Sequence, residues 1–263
     1  MNEAHEITRI LFEDFSNWSI YLFYVIGYTA IGIFLYGVYV QIRKYRRGKP
    51  DASWGEFFAR FADMFKTMAT HRTLKRRDKS AGRAHALIFF GFVLLFIGTA
   101  TITLEYDILE PLFGITFWYG DFYLWFSLIL DLAGVGLIAG LIYMMYRRKW
   151  LKLPKLDYAR PDREPGDPDY DRSGYRREDW AFLWALILIG FTGFLLEAAR
   201  LVWLSDTATV WDYRWWSPIG ALMAHMMMGL GMGAEAAGNF RLGLWWFHGV
   251  LALAFIALIP YTK

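Results

Sequence analysis

The chain has 263 residues, 56% of them hydrophobic and 19% aromatic, above the roughly 45–50% apolar content of an average soluble domain. It contains no cysteine, which excludes disulfides, thiolate zinc sites and any iron–sulfur cluster held by this chain itself. The net charge of +3 is modest, but the charges are distributed very unevenly.

The N-terminus is acidic (Glu3, Glu6, Glu13, Asp14), so a cleavable signal peptide is not expected and the first apolar helix must direct insertion. Five apolar stretches, at about 18–40, 85–104, 122–146, 180–204 and 244–260, are each long enough to cross a hydrocarbon core of about 30 Å. They are too long and continuous for barrel strands, so helices must satisfy their backbone groups in lipid. The expectation is an all-α membrane protein, a bundle of five transmembrane helices in one domain over residues 1–263.

Between the first two spans, Trp54, Phe57, Phe58, Phe61, Phe65 and Met68 recur at helical spacing around Arg60 and Lys66, the pattern of an amphipathic helix lying on a membrane surface. Between the third and fourth, Pro154, Pro161, Pro165 and Pro168 interrupt a polar run that reads as a loop and a docking surface for a soluble partner. After the fourth span, the methionine-rich piece 218–233 is short for a crossing and reads as an outer-side or re-entrant helix. Segment 43–83 carries thirteen Lys and Arg and segment 147–177 carries ten, whereas 105–119 carries none and 205–243 only Arg214 and Arg241. The positive-inside rule places the N-terminus outside and the C-terminus in the cytoplasm of an inner-membrane protein. Aromatic clusters at Phe117–Tyr119, Trp211–Trp216 and Trp245–Trp246 mark expected membrane–water boundaries.

An ionisable residue inside a span is costly and therefore a functional candidate. Of the five histidines, His5 and His71 fall in polar segments and are expected to be solvated, while His85, His225 and His248 fall in apolar helices. His85 sits at the basic start of the second span beside Arg83, with Gly91 and Gly98 following on one helix face; His248 sits near the outer start of the fifth. Axial imidazoles, small residues that admit a flat macrocycle and arginines for propionates are what a haem needs. The two histidines stand at opposite membrane faces and should not share an iron. Hydrogen bonding across helices or anchoring at the interface explains them equally well. His225, among Met223, Met226, Met227 and Met228, is either an outer-site ligand or an interfacial residue. Asp131 reads as a hydrogen-bonded packing carboxyl rather than a proton relay. Glu197 and Arg200, one turn apart, either pair with each other or reach a cofactor.

In order, Gly82-Arg83-Ala84-His85, Gly91, Gly98-Thr99, Asp131 with Gly134, Thr192-Gly193-Phe194 with Glu197 and Arg200, Trp245-Trp246-Phe247-His248 and Ile259-Pro260-Tyr261-Thr262-Lys263 resemble the nitrate reductase gamma subunit superfamily. The nearer resemblance is to the cytochrome b membrane subunits of heterodisulfide reductases and related iron–sulfur oxidoreductases. The resemblance implies a five-helix cytochrome b domain with one or two b-type haems. It would pass electrons between a membrane quinone and a cytoplasmic iron–sulfur or molybdenum oxidoreductase, present as a subunit or a fused domain. His85 and His248 match ligand positions of the second and fifth helices; Arg83, Glu197 and Arg200 become candidates for propionate or quinone contacts. Two departures stand out. The family's further histidine on the second helix is replaced by the neighbourhood of Leu94, Leu95 and Phe96. Its inner ligand on the fifth helix would follow Lys263, which leads to the expectation of a longer protein with a cysteine-rich cluster domain. His225 is then the remaining histidine able to complete the outer site. The competing expectations are a haem-free membrane anchor or assembly subunit and a small transporter. No nucleic-acid partner is expected.

Overall fold

The computed structural model describes residues 7–8, 11–48, 54–151, 153, 164 and 173–262. His5 and Pro154, Pro161, Pro165 and Pro168 lie outside the described residues. The fold is helical: α1 Asn17–Tyr45, α2 Phe57–Thr70, α3 Arg72–Arg77, α4 Lys79–Leu104, α5 Glu110–Phe113, α6 Gly120–Lys149, α7 Ser173–Trp203, α8 Ala208–Asp212, α9 Pro218–Gly229 and α10 Ala234–Leu258. Five stretches are long and apolar enough to cross a membrane: Asn17–Tyr45, Lys79–Phe113, Gly120–Lys149, Gly174–Trp203 and Ala234–Tyr261. The five-helix expectation is met, with helices that outrun their apolar cores.

Two of these extensions have clear causes. α4 begins at Lys79 because the Asp78 carboxylate caps it, accepting the Ala81 N–H at 3.0 Å. That hydrogen bond, the Ser80 hydroxyl and the Arg147 guanidinium together hold the Asp78 carboxyl down to about 2. At its other end α4 passes through a π turn, Glu105–Leu109, into α5. The buried Glu105 carboxylate there accepts the N–H groups of Phe117 (2.7 Å) and Trp118 (2.9 Å), folding the connection back toward α6. α10 begins at Ala234, well before the expected boundary near 244. Arg241 looks like a loop residue in sequence, yet it is buried with its guanidinium 4.0 Å from the Trp203 ring centroid and donates to the Glu13 carbonyl at 3.0 Å. An aromatic face, a backbone carbonyl and the Asp14 carboxylate at 3.4 Å meet the cation, while its Nε has no hydrogen-bond partner.

The five long helices pack in the order α4, α6, α7, α10, α1. α4 and α6 run antiparallel along a seam of small residues spaced seven apart. A Cβ on Gly140 would meet the Ala84 carbonyl at 2.8 Å, one on Gly91 the Ala133 carbonyl at 2.7 Å, and one on Gly98 the Leu130 side chain at 2.8 Å. Small residues at this spacing let two apolar helices approach backbone to backbone, the main source of affinity between helices in lipid. Gly91 and Gly98, expected to open space for a macrocycle, are instead filled by α6. Leu137 and Leu141 of α6 bury against Leu186 of α7, and Phe255 of α10 packs against this cluster. α1 docks on α10: Gln41 Nε2 donates to the Pro260 carbonyl at 2.6 Å, Tyr261 Oη to the Ile33 carbonyl at 2.9 Å, and Trp246 Nε1 to Ser19 Oγ at 3.1 Å. Tyr24 Oη on α1 reaches Asp107, in the π turn after α4, at 2.5 Å.

The helix ends differ in character. At one end, called the basic end, Arg147 pairs with Asp78 and Arg148 with Asp179 at 2.7 Å. α2 lies at this end with Phe58, Phe61, Phe65 and Met68 exposed, as expected of a helix whose apolar face meets a lipid surface rather than protein. At the opposite, aromatic end, Ala198, Leu201 and Val202 of α7 hold Ala221, Ala224 and Met227 of α9 in one core cluster. α9 is the short helix expected from its length, and its N-terminus reaches into the bundle.

Candidate functional site

The N-terminus of α9 meets a carboxylate from a different helix. Asp131, buried about three turns inside the aromatic end of α6, accepts the Ile219 N–H at 2.9 Å and the Gly220 N–H at 3.3 Å. First-turn N–H groups have no intrahelical acceptor, and a carboxylate there is favoured by the helix dipole as well. Asp131 therefore fixes the depth of the re-entrant helix, in line with the packing role expected of it.

Glu197 and Arg200 lie beside this junction. They pair in a two-pronged contact, Arg200 Nη2 to Glu197 Oε1 at 2.7 Å and Nε to Oε2 at 3.1 Å. A Cβ on Gly220 would strike Glu197 Cγ at 2.6 Å, so glycine is what allows α9 to pass over the pair. Ser127 of α6 and Ser217, the residue before α9, share a hydrogen bond of 2.7 Å. Glu197, Arg200, Tyr123, Ser127, Ser217 and Arg214 help to line a cavity of about 30 Å³, room for one or two waters. The result is a polar, hydratable pocket at the aromatic end of an otherwise apolar bundle, where Arg200 offers donors and Glu197 a carboxylate.

His248 stands apart from that pocket. The early start of α10 puts it about four turns past Ala234, inside the bundle rather than at its rim. Its Nδ1 lies 2.9 Å from Thr192 Oγ1 on α7. Assigning the Thr192 hydroxyl proton to its shorter contact, the Leu188 carbonyl at 2.6 Å, makes Oγ1 the acceptor and Nδ1 the protonated ring nitrogen. Nε2 is then the lone-pair nitrogen. Gly193 lies against the same ring, its Cβ position 3.5 Å from His248 Cε1. An imidazole held through Nδ1, beside a residue lacking a side chain, is an arrangement in which the second ring nitrogen can coordinate a metal.

The other expected site residues are dispersed. His85 is exposed on α4 and its ring lies 5.1 Å from that of His71. His71, expected to be solvated, is buried at the left-handed joint between α2 and α3, packed against Phe89 and Phe90. Arg83 is two residues from His85 but lines a groove between α4 and α6 that does not include His85. His225 is stacked on Trp215 (5.6 Å) and close to Trp211 (5.2 Å), with Nδ1 2.7 Å from the Ala221 carbonyl. Its neighbours are not those of His248. Among the described residues, no cluster of three or more His, Asp or Glu forms a metal site.

Sequence reasoning missed Ser127, Ser217 and Tyr123 as pocket residues because nothing in the chain announces which face of α6 meets the start of α9. His71 was misread as solvated, although a signal was there. It ends the aromatic repeat of α2, and histidine is one of the few residues that tolerates positive φ at a helix end.

No family model matches the chain, and no solved structure matches it. The chain is 26% identical over 247 residues to an EtfAB:quinone oxidoreductase of Syntrophomonas wolfei. It is 23% identical over 247 residues to a probable iron–sulfur-binding oxidoreductase of Bacillus subtilis, FadF. Each alignment covers 92% of this chain but only 31% and 30% of the relative, so the chain spans just under a third of their length. It is a distant relative of both oxidoreductases, matching one part of each.

Proposed function

We propose that this chain is the membrane electron-transfer module of a quinone-linked oxidoreductase, binding b-type haem and serving a soluble iron–sulfur or molybdenum partner. The observation that supports the reading is the Thr192–His248 pair, Nδ1 2.9 Å from Oγ1, with Nε2 the nitrogen that would bind iron. A bound haem b would supply one-electron transfer. His248 would hold it, Thr192 would fix the ring, and Gly193 would leave space beside the imidazole. The names of the two distant relatives, one linked to quinone and one to iron–sulfur binding, support the same class of chemistry.

Quinone binds at the aromatic end in this reading, its head opening the small cavity that Arg200 and Glu197 line. Arg200 would donate to a quinone oxygen while Glu197 exchanges the protons that accompany two electrons between quinone and quinol. Asp131 keeps its backbone partners and takes no part in that exchange. The basic end faces the cytoplasm by charge asymmetry, with the N-terminus outside. The redox partner, subunit or fused domain, would dock there near His85 and His71, which form the candidate for a second haem contact. A haem-free anchor draws support from the α6 side chains and backbone that fill the α4 glycine seam.

A reduced-minus-oxidised optical spectrum of the purified chain tests the reading. A b-type band that disappears in His248→Ala is the expected result. Well-folded protein without such a band overturns it in favour of the anchor.

A further inference from the structure

Between α4 and α6, on the side away from His85, runs a groove of about 610 Å³. Its walls are apolar, including Leu87, Phe90, Leu94 and Leu132, all exposed to the surroundings of the bundle. In a bilayer such a groove fills with hydrocarbon. Its length along α4 from Arg83 to Leu94 is about three turns, roughly 16 Å, close to half of a hydrocarbon core of about 30 Å. The groove therefore spans one leaflet, beginning at the basic end.

Its mouth is charged. Lys75 and Arg83 line it there, and no acidic residue does. Neither cation has an acidic partner among the described residues. Their proximity is built in, because α3 folds tightly onto the start of α4 at Gly82, where a Cβ would meet the Lys75 backbone at 2.7 Å. A haem in this groove would find no imidazole on its walls. A quinone would bring a neutral head to two uncompensated cations. An anionic headgroup with an attached acyl chain satisfies both ends at once.

We infer that the α4–α6 groove is a binding site for an anionic phospholipid of the basic-end leaflet, its phosphate held by Lys75 and Arg83 and an acyl chain laid along Leu87, Phe90 and Leu94. The site is independent of the redox reading.

Native mass spectrometry of the full chain, exchanged from detergent into mixed vesicles of phosphatidylglycerol and phosphatidylcholine, tests this. One phosphatidylglycerol should be retained with at least about a five-fold preference. That preference should vanish in Lys75→Gln/Arg83→Gln, whose helical circular dichroism should be unchanged. Leu132→Trp, which blocks the groove and leaves the cations, should lower retention of both lipids. Equal retention of the two lipids by the unaltered chain overturns the assignment, as does a preference that survives the double substitution. Glycerol phosphate alone competing as well as the lipid would also overturn it, because the groove would then contribute nothing.

Discussion

The Thr192 hydroxyl of α7 lies between two partners, 2.9 Å from His248 Nδ1 on α10 and 2.6 Å from the Leu188 carbonyl. One hydroxyl thus holds one half-buried imidazole. Thr192→Val removes the acceptor while keeping the shape of the side chain. In the proposed cytochrome, the outer partner of a metal-bound histidine is worth about 10–100-fold in affinity. Haem content should fall in Thr192→Val and be largely restored in Thr192→Ser, read from the optical band per mole of protein. Equal haem content in all three proteins would remove Thr192 from the account.

Asp131 should behave as a helix anchor. Asp131→Ala leaves two N–H groups of α9 without acceptors, a loss of about 1–3 kcal/mol for each buried group. Asp131→Asn keeps one acceptor oxygen and should recover part of that stability, measured by thermal unfolding in detergent. A proton relay would give the opposite pattern, with Asp131→Asn stable but inactive in quinone turnover.

For Glu197 the expectation is reversed. Glu197→Gln keeps the fit over Gly220 and one of the two acceptor oxygens for Arg200 but cannot carry a proton. Quinone-linked turnover should drop by about 10²-fold or more, the usual size of a general acid–base contribution. Turnover within two-fold of the unaltered chain would place quinone elsewhere.

The α4–α6 seam predicts a steric result. Gly91→Leu would drive a side chain into the Ala133 backbone, where a Cβ alone already meets the carbonyl at 2.7 Å. Overpacking of this kind costs about 1–3 kcal/mol and should lower the unfolding temperature. Gly27→Leu, at a position with open space around it, should not.

At the basic end, the Asp78 carboxyl is depressed from its ordinary 3.8 to about 2. Its folded-state value lies below its unfolded one, so its contribution is complete above about pH 4 and is lost as pH falls through that window toward 2. Acid unfolding of Asp78→Asn should be less steep across it. An unchanged slope would mean that the cap and the Arg147 pair add no pH-dependent stability.

The five spans were legible because runs of about 20 apolar residues have few alternatives in lipid. Their ends were not. Arg241 reads as loop until Trp203 and the Glu13 carbonyl are seen to meet it, and that misplacement put His248 at the rim instead of inside the bundle. The Glu197–Arg200 pair was readable from its spacing. The meeting of Asp131 with the start of α9 was not, since it joins residues 88 and 89 positions apart. The glycines of α4 were visible, but their partner was not: seven-residue spacing serves a helix neighbour as readily as a macrocycle.

The central claim is that His248, set by Thr192, binds b-type haem in a quinone-linked electron-transfer module. The most direct measurement is the reduced-minus-oxidised spectrum of the purified chain beside His248→Ala, at matched helical content by circular dichroism. The account predicts a b-type band in the first that is lost or sharply reduced in the second. A folded chain with no band, or a band untouched by the substitution, would contradict it.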